Sequence, residues 1–289
     1  MYTILVTGSK GQLGSEIADL KGQFSACTFF LTDKEELDIT NETQIEEFVI
    51  KNNINAIINC AAYTSVDKAE DDKELAYKIN YLAVKNIAEI VRKHQLKLIH
   101  VSTDYVFDGT SEVPYSETDA TNPKNVYGYS KLLGEKALLE INPSNSLIIR
   151  TSWLYSSFGH NFVKTILKLS KEKAQITVVN DQIGSPTYAK DLAIVILKLI
   201  LKLDTKQVEI VHYSNSGKCS WFQFAQEIIN NAESECKVLP ISSEAFNSKA
   251  FRPNFSLLNT EKIKKSFQIR IPNWKDSLKV CLNKMKEPI

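Results

Sequence analysis

The chain has 289 residues, of which 43% are hydrophobic and 24% are charged, and its formal net charge is +1. This length indicates one large domain or two intimate domains, and the composition is that of a globular protein. Because basic residues are spread along the chain, we expect neither a nucleic-acid-binding surface nor a polybasic membrane patch. The longest apolar runs are too short to span a bilayer.

The N-terminal residues and the cysteines predict a cytoplasmic protein. The chain enters a strand-like run at residues 2–6, without the basic and apolar segments of a secretory signal. Five cysteines are present, an odd number without CxxC spacing: Cys27, Cys60, Cys219, Cys236 and Cys281. This pattern argues against a disulfide framework or a zinc site, so we expect a reducing compartment.

Short apolar runs alternate with helix-period segments through the first two thirds of the chain. The runs are residues 3–7, 28–32, 56–59, 98–102, 147–151 and 176–179. Several are almost continuously apolar, which is typical of strands buried on both faces. Amphipathic stripes at helical spacing lie between or after them, at residues 75–91, 132–138 and 192–199. The alternation predicts a Rossmann-type α/β fold with a doubly wound parallel sheet and right-handed crossovers.

The regularity loosens after about residue 150. Irregular, loop-like stretches occupy residues 152–162, 180–190 and 240–260. Such loops often carry binding residues. We therefore predict a dinucleotide-binding Rossmann domain at residues 1–150, whose sheet is continued by parts of residues 160–215. Residues 151–289 are predicted to form mainly a smaller, interleaved substrate-binding α/β part.

A glycine-rich segment directly follows the first strand-like run. Residues 7–14 read Thr-Gly-Ser-Lys-Gly-Gln-Leu-Gly, and a helix is predicted from Ser15. Glycines at this spacing allow a tight turn and a close approach of backbone N–H groups to a pyrophosphate at the helix N-terminus. The strand before and the helix after are the context that the motif requires. The predicted cofactor-binding residues here are Gly8, Lys10, Gly11, Gln12 and Leu13.

An acidic residue is expected at the end of the second strand, where it binds the adenosine ribose. Asp33 lies there and favours NADH, because its carboxylate would repel a 2′-phosphate. Lys10 and Lys34 are close in sequence and soften that preference, so the predicted cofactor is NADPH or NADH. Asp38 and Ile39 are predicted to line the adenine pocket.

Small residues follow the third strand-like run, in the sequence Asn-Cys-Ala-Ala-Tyr-Thr at positions 59–64. Small side chains at the carboxyl end of a parallel strand let a cofactor pass over the sheet edge. The predicted cofactor contacts in this segment are Ala61, Ala62, Tyr63 and Thr64.

Tyr127 and Lys131 are the candidate proton-transfer pair. Side chains four apart on a helix share one face, with Cβ atoms about 5–6 Å apart. An ammonium beside a phenol lowers the phenol pKa from about 10, which suits Tyr127 to proton transfer. Thr103 ends a buried strand 24 residues earlier, and its hydroxyl suits a substrate carbonyl. Tyr129 has Leu133 at the i+4 position, so we interpret it as structural or solvent-facing.

Taken together, these motifs resemble the extended short-chain dehydrogenase/reductase family over about the first 200 residues. Further segments extend the resemblance nearly end to end, to the members that reduce sugar nucleotides: residues 11–14, 62–70, 102–109, 150–155, 181–187 and 252–258. The resemblance implies an NAD(P)H-dependent enzyme that reduces the 4-keto group of dTDP-4-dehydro-L-rhamnose.

The same resemblance implies residue roles. Tyr127 would donate a proton to the carbonyl oxygen as hydride arrives from the nicotinamide. Lys131 would lower the pKa of Tyr127 and bind the nicotinamide ribose, and Thr103 would polarise the carbonyl. The implied substrate-binding residues are Thr64, Val66, Thr103, Asp104, Tyr105 and Trp153, although Trp153 has an alternative interpretation as a core aromatic.

Some members of the family bind Mg²⁺ between protomers through carboxylates. Glu16 falls where one such ligand lies, and Asp191 is the only other obvious candidate. A lone surface glutamate is usually solvated, so we predict no metal site, and the chain is expected to be a monomer or a homodimer.

Two kinds of alternative remain open at this point: another sugar-nucleotide enzyme of the same family, either a dehydratase or an epimerase, and a non-catalytic regulatory subunit. A 4,6-dehydratase of the family places Asp-Glu after its catalytic threonine, whereas Asp104 is followed here by Tyr105. A C3/C5 epimerase needs an additional acid–base residue, for which His160 or Cys60 are the candidates, neither with a supporting pattern. A non-catalytic, NADP-binding regulatory subunit is disfavoured by the intact threonine, tyrosine and lysine set.

Overall fold

The computed structural model describes residues 2–286. Its strands are β1 (Tyr2–Thr7), β2 (Cys27–Thr32), β3 (Ala56–Asn59), β4 (Lys97–Thr103), β5 (Ser146–Thr151), β6 (Leu154–Tyr155), β7 (Gln175–Val179), β8 (Ile183–Gly184), β9 (Thr187–Tyr188), β10 (Glu209–His212), β11 (Cys219–Ser220) and β12 (Lys237–Ile241). Its α-helices are α1 (Gln12–Leu20), α2 (Glu42–Lys51), α3 (Val66–Ala69), α4 (Lys73–Tyr77), α5 (Ala83–His94), α6 (Val126–Ile141), α7 (Phe162–Glu172), α8 (Ala189–Lys202), α9 (Trp221–Asn231), α10 (Ser243–Phe246), α11 (Glu261–Phe267) and α12 (Trp274–Lys286).

A six-stranded parallel sheet forms the centre of the fold, in the order β10-β5-β4-β3-β1-β2. The chain passes from β1 to β2 on one side and then returns to β3 on the other. The direction of winding therefore reverses between β1 and β3, which is where doubly wound sheets bind their ligands. The predicted Rossmann-type parallel sheet is confirmed.

The run at residues 176–179 also forms a strand, but it lies outside the central sheet. Within β7 it pairs in parallel with β12. The sixth strand of the central sheet is instead β10, which pairs with β5. Apolar runs of this length identify strands without specifying their partners, because pairing depends on residues far away in the chain.

Both faces of the central sheet are covered by helices, which explains the continuously apolar strands. On β1, Ile4 and Val6 pack in a cluster with α1 and α8, whereas Leu5 packs on the opposite face with α2, α5 and α6. All three side chains are fully buried. A third cluster joins α7, α9 and α12 with β7 in the C-terminal half of the chain.

Helix α1 begins at Gln12 rather than at the predicted Ser15. Gly11 is the N-cap residue, with extended φ and ψ values of −74° and 174°. The last glycine of the motif, Gly14, therefore lies within the first turn of the helix. A Cβ atom there would approach the Gly8 carbonyl oxygen to 2.3 Å, so the glycine permits the helix to start against the preceding turn.

None of the helices within residues 2–286 combines the length and the apolar character needed to cross a lipid bilayer.

Candidate active site

A cavity of about 850 Å³ opens at the carboxyl ends of β1, β3, β4 and β5. Every site residue predicted from the sequence lines this cavity except Tyr63: Gly8, Lys10, Gly11, Gln12, Leu13, Asp33, Asp38, Ile39, Ala61, Ala62, Thr64, Val66, Thr103, Asp104, Tyr105, Tyr127, Lys131 and Trp153. The fold thus brings one dinucleotide motif and one candidate catalytic set into a single space.

The glycine turn at the start of the cavity is packed closely against the residues that follow β3. Gly8 has a φ of +66°, and a Cβ atom at this position would lie 2.7 Å from the Ala61 Cα. Only glycine meets both requirements without strain. Because Gly8 has no side chain, the backbone of the turn can approach a pyrophosphate bound at the N-terminus of α1.

Asp33 at the end of β2 binds the glycine loop directly. Its Oδ2 accepts a hydrogen bond from the Lys10 N–H at 3.2 Å, and its Oδ1 accepts one from the Lys34 N–H at 2.8 Å. The Lys10 ammonium points elsewhere, to Glu35 Oε2 at 2.6 Å and Glu36 Oε1 at 3.3 Å. Lys10 and Lys34 both line the cavity, so the two backbone partners of Asp33 belong to the predicted ribose site.

Asp38 is held by its own loop. Its Oδ1 accepts hydrogen bonds from the Thr40 backbone N–H at 2.9 Å and from the Thr40 hydroxyl at 2.8 Å. These bonds lower the pKa of the Asp38 carboxyl. The ionised carboxylate orders the loop that forms this end of the cavity.

Tyr63 is fixed through its backbone and does not line the cavity. Asn80 accepts a hydrogen bond from the Tyr63 N–H at 2.9 Å and donates one to the Tyr63 carbonyl at 3.0 Å. Asn80 lies in a π-helical segment, Lys78–Leu82, between α4 and α5. Such segments often occur at functional sites, and this one positions the loop after β3.

Thr103 and Tyr127 both line the cavity. Thr103 is the last residue of β4, and its hydroxyl donates a hydrogen bond to the Asp104 Oδ1 at 3.1 Å and accepts one from the Tyr105 N–H at 3.2 Å. Asn125 caps α6 by accepting the Gly128 N–H at 2.7 Å, which places Tyr127 in the first helical turn. The Tyr127 ring packs edge-on against Tyr105, with centroids 5.7 Å apart. The cap and the ring contact fix the phenol beside the strand end.

Tyr127 differs in one respect from the sequence-based expectation. Desolvation by the surrounding protein raises its pKa to about 12, and the nearby Thr103 hydroxyl opposes the shift. Lys131, one helical turn further along α6, donates a hydrogen bond from its Nζ to the Val101 carbonyl at 2.7 Å. Burial lowers the pKa of Lys131 to about 8. Tyr127 therefore carries its proton at neutral pH and is suited to donate it.

Two further candidate residues, Asp104 and Trp153, pack against neighbouring side chains and also line the cavity. Asp104 is buried, and burial raises its pKa to about 7, while the hydroxyls of Ser256 and Thr103 oppose the shift. Trp153 has a φ of +47° and stacks on Trp221 with ring centroids 3.6 Å apart. The two interpretations of Trp153 are thus compatible, since one face packs against an aromatic and the residue also lines the cavity.

Two of the resembling segments meet in space. Arg252 forms a bidentate pair with Asp67, with N–O distances of 2.7 Å and 3.1 Å. Residues 62–70 are thereby joined to residues 252–258 across the rim of the site.

Comparison with known proteins assigns the family. The RmlD substrate binding domain family matches residues 2–287. A dTDP-4-dehydrorhamnose reductase of Aggregatibacter actinomycetemcomitans is 40% identical, covering 96% of this chain and 98% of the relative. The Bacillus subtilis spore coat polysaccharide biosynthesis protein SpsK is 39% identical over 98% of this chain and 97% of the relative.

The chain belongs to the RmlD substrate binding domain family.

Solved structures of similar proteins have the same fold. A dTDP-4-dehydrorhamnose reductase from Clostridium acetobutylicum is 40% identical, with a TM-score of 0.93 over 99% of this chain and 100% of that chain. The corresponding Bacillus anthracis protein, solved in complex with NADP, is also 40% identical, with a TM-score of 0.92 over 98% of this chain and 100% of that chain. A Bacillus anthracis dTDP-glucose 4,6-dehydratase is only 17% identical, with a TM-score of 0.81 over 98% of this chain and 96% of that chain, and indicates the fold alone.

The carboxylates considered for Mg²⁺ in this RmlD family member are engaged within the chain. Glu16 is fully buried, so the expectation of a solvated side chain was wrong. Its Oε1 accepts the Ser156 hydroxyl at 2.6 Å, and the Lys284 ammonium lies 3.2 Å from its Oε2. Asp191 accepts hydrogen bonds from Asn215 and Ser277. An ammonium at Glu16 does not fit a hard-cation site, and no group of three or more metal-ligating side chains occurs among residues 2–286.

Sequence reasoning missed several polar residues that shape the site. Thr40, Lys78 and Thr151 line the cavity, although no role in the site was predicted for them. His160 and Cys60, considered above for an epimerase, also line it. Burial raises the pKa of the Cys60 thiol to about 12, which makes this thiol a poor acid–base group at neutral pH.

Proposed function

We propose that the protein reduces the 4-keto group of dTDP-4-dehydro-L-rhamnose to dTDP-L-rhamnose, with NADPH or NADH as the reductant. The observation that carries the proposal is the position of Thr103, Tyr127 and Lys131 in the same cavity as the glycine turn. Relatives that share 37–40% identity over nearly the whole chain are named dTDP-4-dehydrorhamnose reductase.

The cofactor fits the residues at one end of the cavity. The glycine turn at Gly8 and the N-terminus of α1 suit a pyrophosphate, and Asp33 suits a ribose. When bound, the nicotinamide supplies a hydride. A related protein of the family has been solved with NADP, which supports use of the phosphorylated cofactor, and Lys10, Lys34 and Lys78 line the cavity and supply positive charge.

The proton side of the reaction follows from the chain's own residues. Tyr127 is protonated at neutral pH, so it donates its phenolic proton to the oxygen of the reduced carbonyl. The Thr103 hydroxyl, beside the phenol, donates a hydrogen bond to that oxygen and stabilises its developing negative charge. Lys131 carries a positive charge that favours the tyrosinate formed when the proton leaves.

The remaining cavity residues form the proposed sugar-nucleotide site. They line the same cavity as the catalytic set and are Thr64, Val66, Asp104, Tyr105 and Trp153. Apolar and aromatic faces with a few polar groups are typical of sites for ligands of this size. We also propose a cytoplasmic location, which the free cysteines support.

A coupled assay tests the proposed function. The purified protein is added to dTDP-glucose with a 4,6-dehydratase, a 3,5-epimerase and NADPH, and NADPH consumption and the dTDP-sugar product are measured. We expect consumption that requires all three enzymes and yields dTDP-L-rhamnose. NADPH binding without any consumption would favour the regulatory-subunit alternative, and consumption without the epimerase would identify another keto sugar as the substrate.

A further inference from the structure

His100 is a buried residue of β4 that lies beneath the catalytic lysine. Its exposed fraction is 0%, and its Nε2 is 3.4 Å from the Lys131 Nζ. The mechanism above assigns it no role. The same Nζ donates to the Val101 carbonyl at 2.7 Å, so the imidazole and one backbone carbonyl form the floor under the ammonium.

The hydrogen bonds around Asn59 determine which nitrogen of His100 carries the proton. The Asn59 Oδ1 accepts the Ala61 N–H at 3.2 Å and the Thr7 hydroxyl at 2.7 Å. The Asn59 Nδ2 therefore faces the His100 Nδ1, at 3.0 Å. Because an amide NH₂ only donates, the His100 Nδ1 must accept, and a neutral imidazole then carries its hydrogen on Nε2.

His100 is neutral, since burial and the neighbouring Lys131 ammonium hold its pKa well below the usual value. Its Nε2–H consequently points at an ammonium that also has only hydrogens to offer. Two donors cannot form a hydrogen bond, which agrees with a separation of 3.4 Å. Among residues 2–286, the Val101 carbonyl is the only hydrogen-bond acceptor beneath the Lys131 ammonium.

The other charged and titratable groups near Lys131 do not replace that acceptor. Glu135, one turn further along α6, is occupied by Arg150, with N–O distances of 2.7 Å and 3.0 Å, and by the Ser102 hydroxyl. Cys60, after β3, is a neutral thiol, and Tyr127 on the same helix is a neutral phenol.

We propose that His100 is a positioning residue for Lys131: by presenting Nε2–H, it withholds a hydrogen-bond acceptor from below and leaves the other ammonium hydrogens directed into the cavity. There they are available to the cofactor ribose and to the oxygen of Tyr127. An acceptor in place of this N–H would bind the ammonium to the floor and hold its proton more tightly. The inference deepens the proposed function and rests on it for the role of Lys131.

The first test reads the tautomer in the unaltered protein. The ¹⁵N shifts of His100, assigned with a His100→Asn sample, are measured at neutral pH without cofactor. We expect an unprotonated Nδ1 and a protonated Nε2. The opposite tautomer would make Nε2 an acceptor for Lys131 and would overturn the proposal.

The second test uses a pair of substitutions. His100→Gln places an amide oxygen where Nε2 lies, within reach of Lys131, whereas His100→Asn keeps an acceptor for Asn59 and presents nothing to the ammonium. The readouts are the ¹³C-detected titration of Lys131, assigned with Lys131→Met, and the Kd for NADPH. Neither readout requires turnover, so a failed reductase assay does not affect them.

We expect the glutamine to raise the titration midpoint of Lys131 by about one to two pH units, as for one added charge-assisted hydrogen bond. NADPH binding should weaken about tenfold, because the ammonium hydrogens are diverted from the cofactor. The asparagine should shift the midpoint by less than half as much. Equal shifts of the Lys131 midpoint in both variants, or no shift in the glutamine variant, would show that the His100 Nε2–H does not control the hydrogen bonding of Lys131 and would overturn the proposal.

A matched control comes from the other buried histidine of the sheet. His212 on β10 is also fully buried but lies beside Arg150 rather than Lys131. His212→Asn should reduce thermal stability while leaving the Lys131 midpoint and the NADPH Kd unchanged. If it shifted both as far as His100→Gln does, the effect would be a general loss of packing and the proposal would fail. If the glutamine variant does not fold, the tautomer measurement decides alone.

Discussion

Replacing Tyr127 by phenylalanine isolates the proton that the proposed mechanism requires. The substitution keeps the ring, which packs edge-on against Tyr105 with centroids 5.7 Å apart, and removes only the phenolic hydroxyl. General acid catalysis is commonly worth about 10²–10⁴-fold, which corresponds to about 2.7–5.5 kcal/mol of transition-state stabilisation. We expect kcat to fall within that range while the Kd for NADPH changes by less than about twofold, since proton donation occurs only in the transition state.

The measurement combines steady-state kinetics of the coupled reaction with a fluorescence titration of NADPH. Tyr129→Phe is the matched control, because Tyr129 lies on the same helix but is exposed and packs against Tyr77. This control should retain wild-type kinetics. A Tyr127→Phe enzyme with near wild-type kcat would refute the reasoning, as would an equal loss in both variants.

Three further substitutions test other parts of the site. Lys131→Met should lower kcat and weaken NADPH binding. In the unaltered enzyme we expect activity to fall as the pH rises through about 8, where Lys131 loses its proton, and the substitution should abolish this pH dependence. An unchanged pH–rate profile would rule out this titration. Asp33→Ala should shift the ratio of kcat/KM values toward NADPH, because the carboxylate that repels a 2′-phosphate is removed; an unchanged ratio would make Asp33 a turn residue only. Glu135→Gln should lower the free energy of unfolding by about 3–5 kcal/mol in urea titrations, since it breaks a pair whose two side chains are 3% and 1% exposed and leaves Arg150 buried without its counter-ion. A loss below about 1 kcal/mol, the value typical of surface pairs, would contradict this account.

The parts of the site that could be predicted are those encoded by short-range spacing. The turn at Gly8 and Gly14 is recognisable because one strand, three glycines and one helix are consecutive in the chain. Tyr127 and Lys131 could be paired because a helix places residues four apart on one face. The doubly wound sheet follows from strands that are apolar on both faces, since only a two-sided helical cover buries them.

The residues that escaped prediction depend on long-range contacts. Glu16 was misjudged because its partners, Ser156 and Lys284, are 140 and 268 residues away. Asn80 gives no local signal, although it fixes the Tyr63 peptide and donates to Ser130 on α6. From sequence alone, an isolated polar residue in a helical pattern is interpreted as solvent-exposed, because its hydrogen-bond partners become known only from the tertiary structure.

For Tyr127 and Lys131, the sequence spacing predicts the positions of the side chains but not their pKa values. The spacing correctly places both side chains in one cavity, but the pKa of each depends on what else surrounds it. Desolvation disfavours the charged form of both groups, so it raises the pKa of the phenol and lowers that of the amine. A reductase needs an acid at the carbonyl oxygen, and a phenol that stays protonated at neutral pH supplies one. The raised tyrosine pKa therefore fits reduction, whereas a tyrosinate in the resting enzyme would be the base that the reverse oxidation requires.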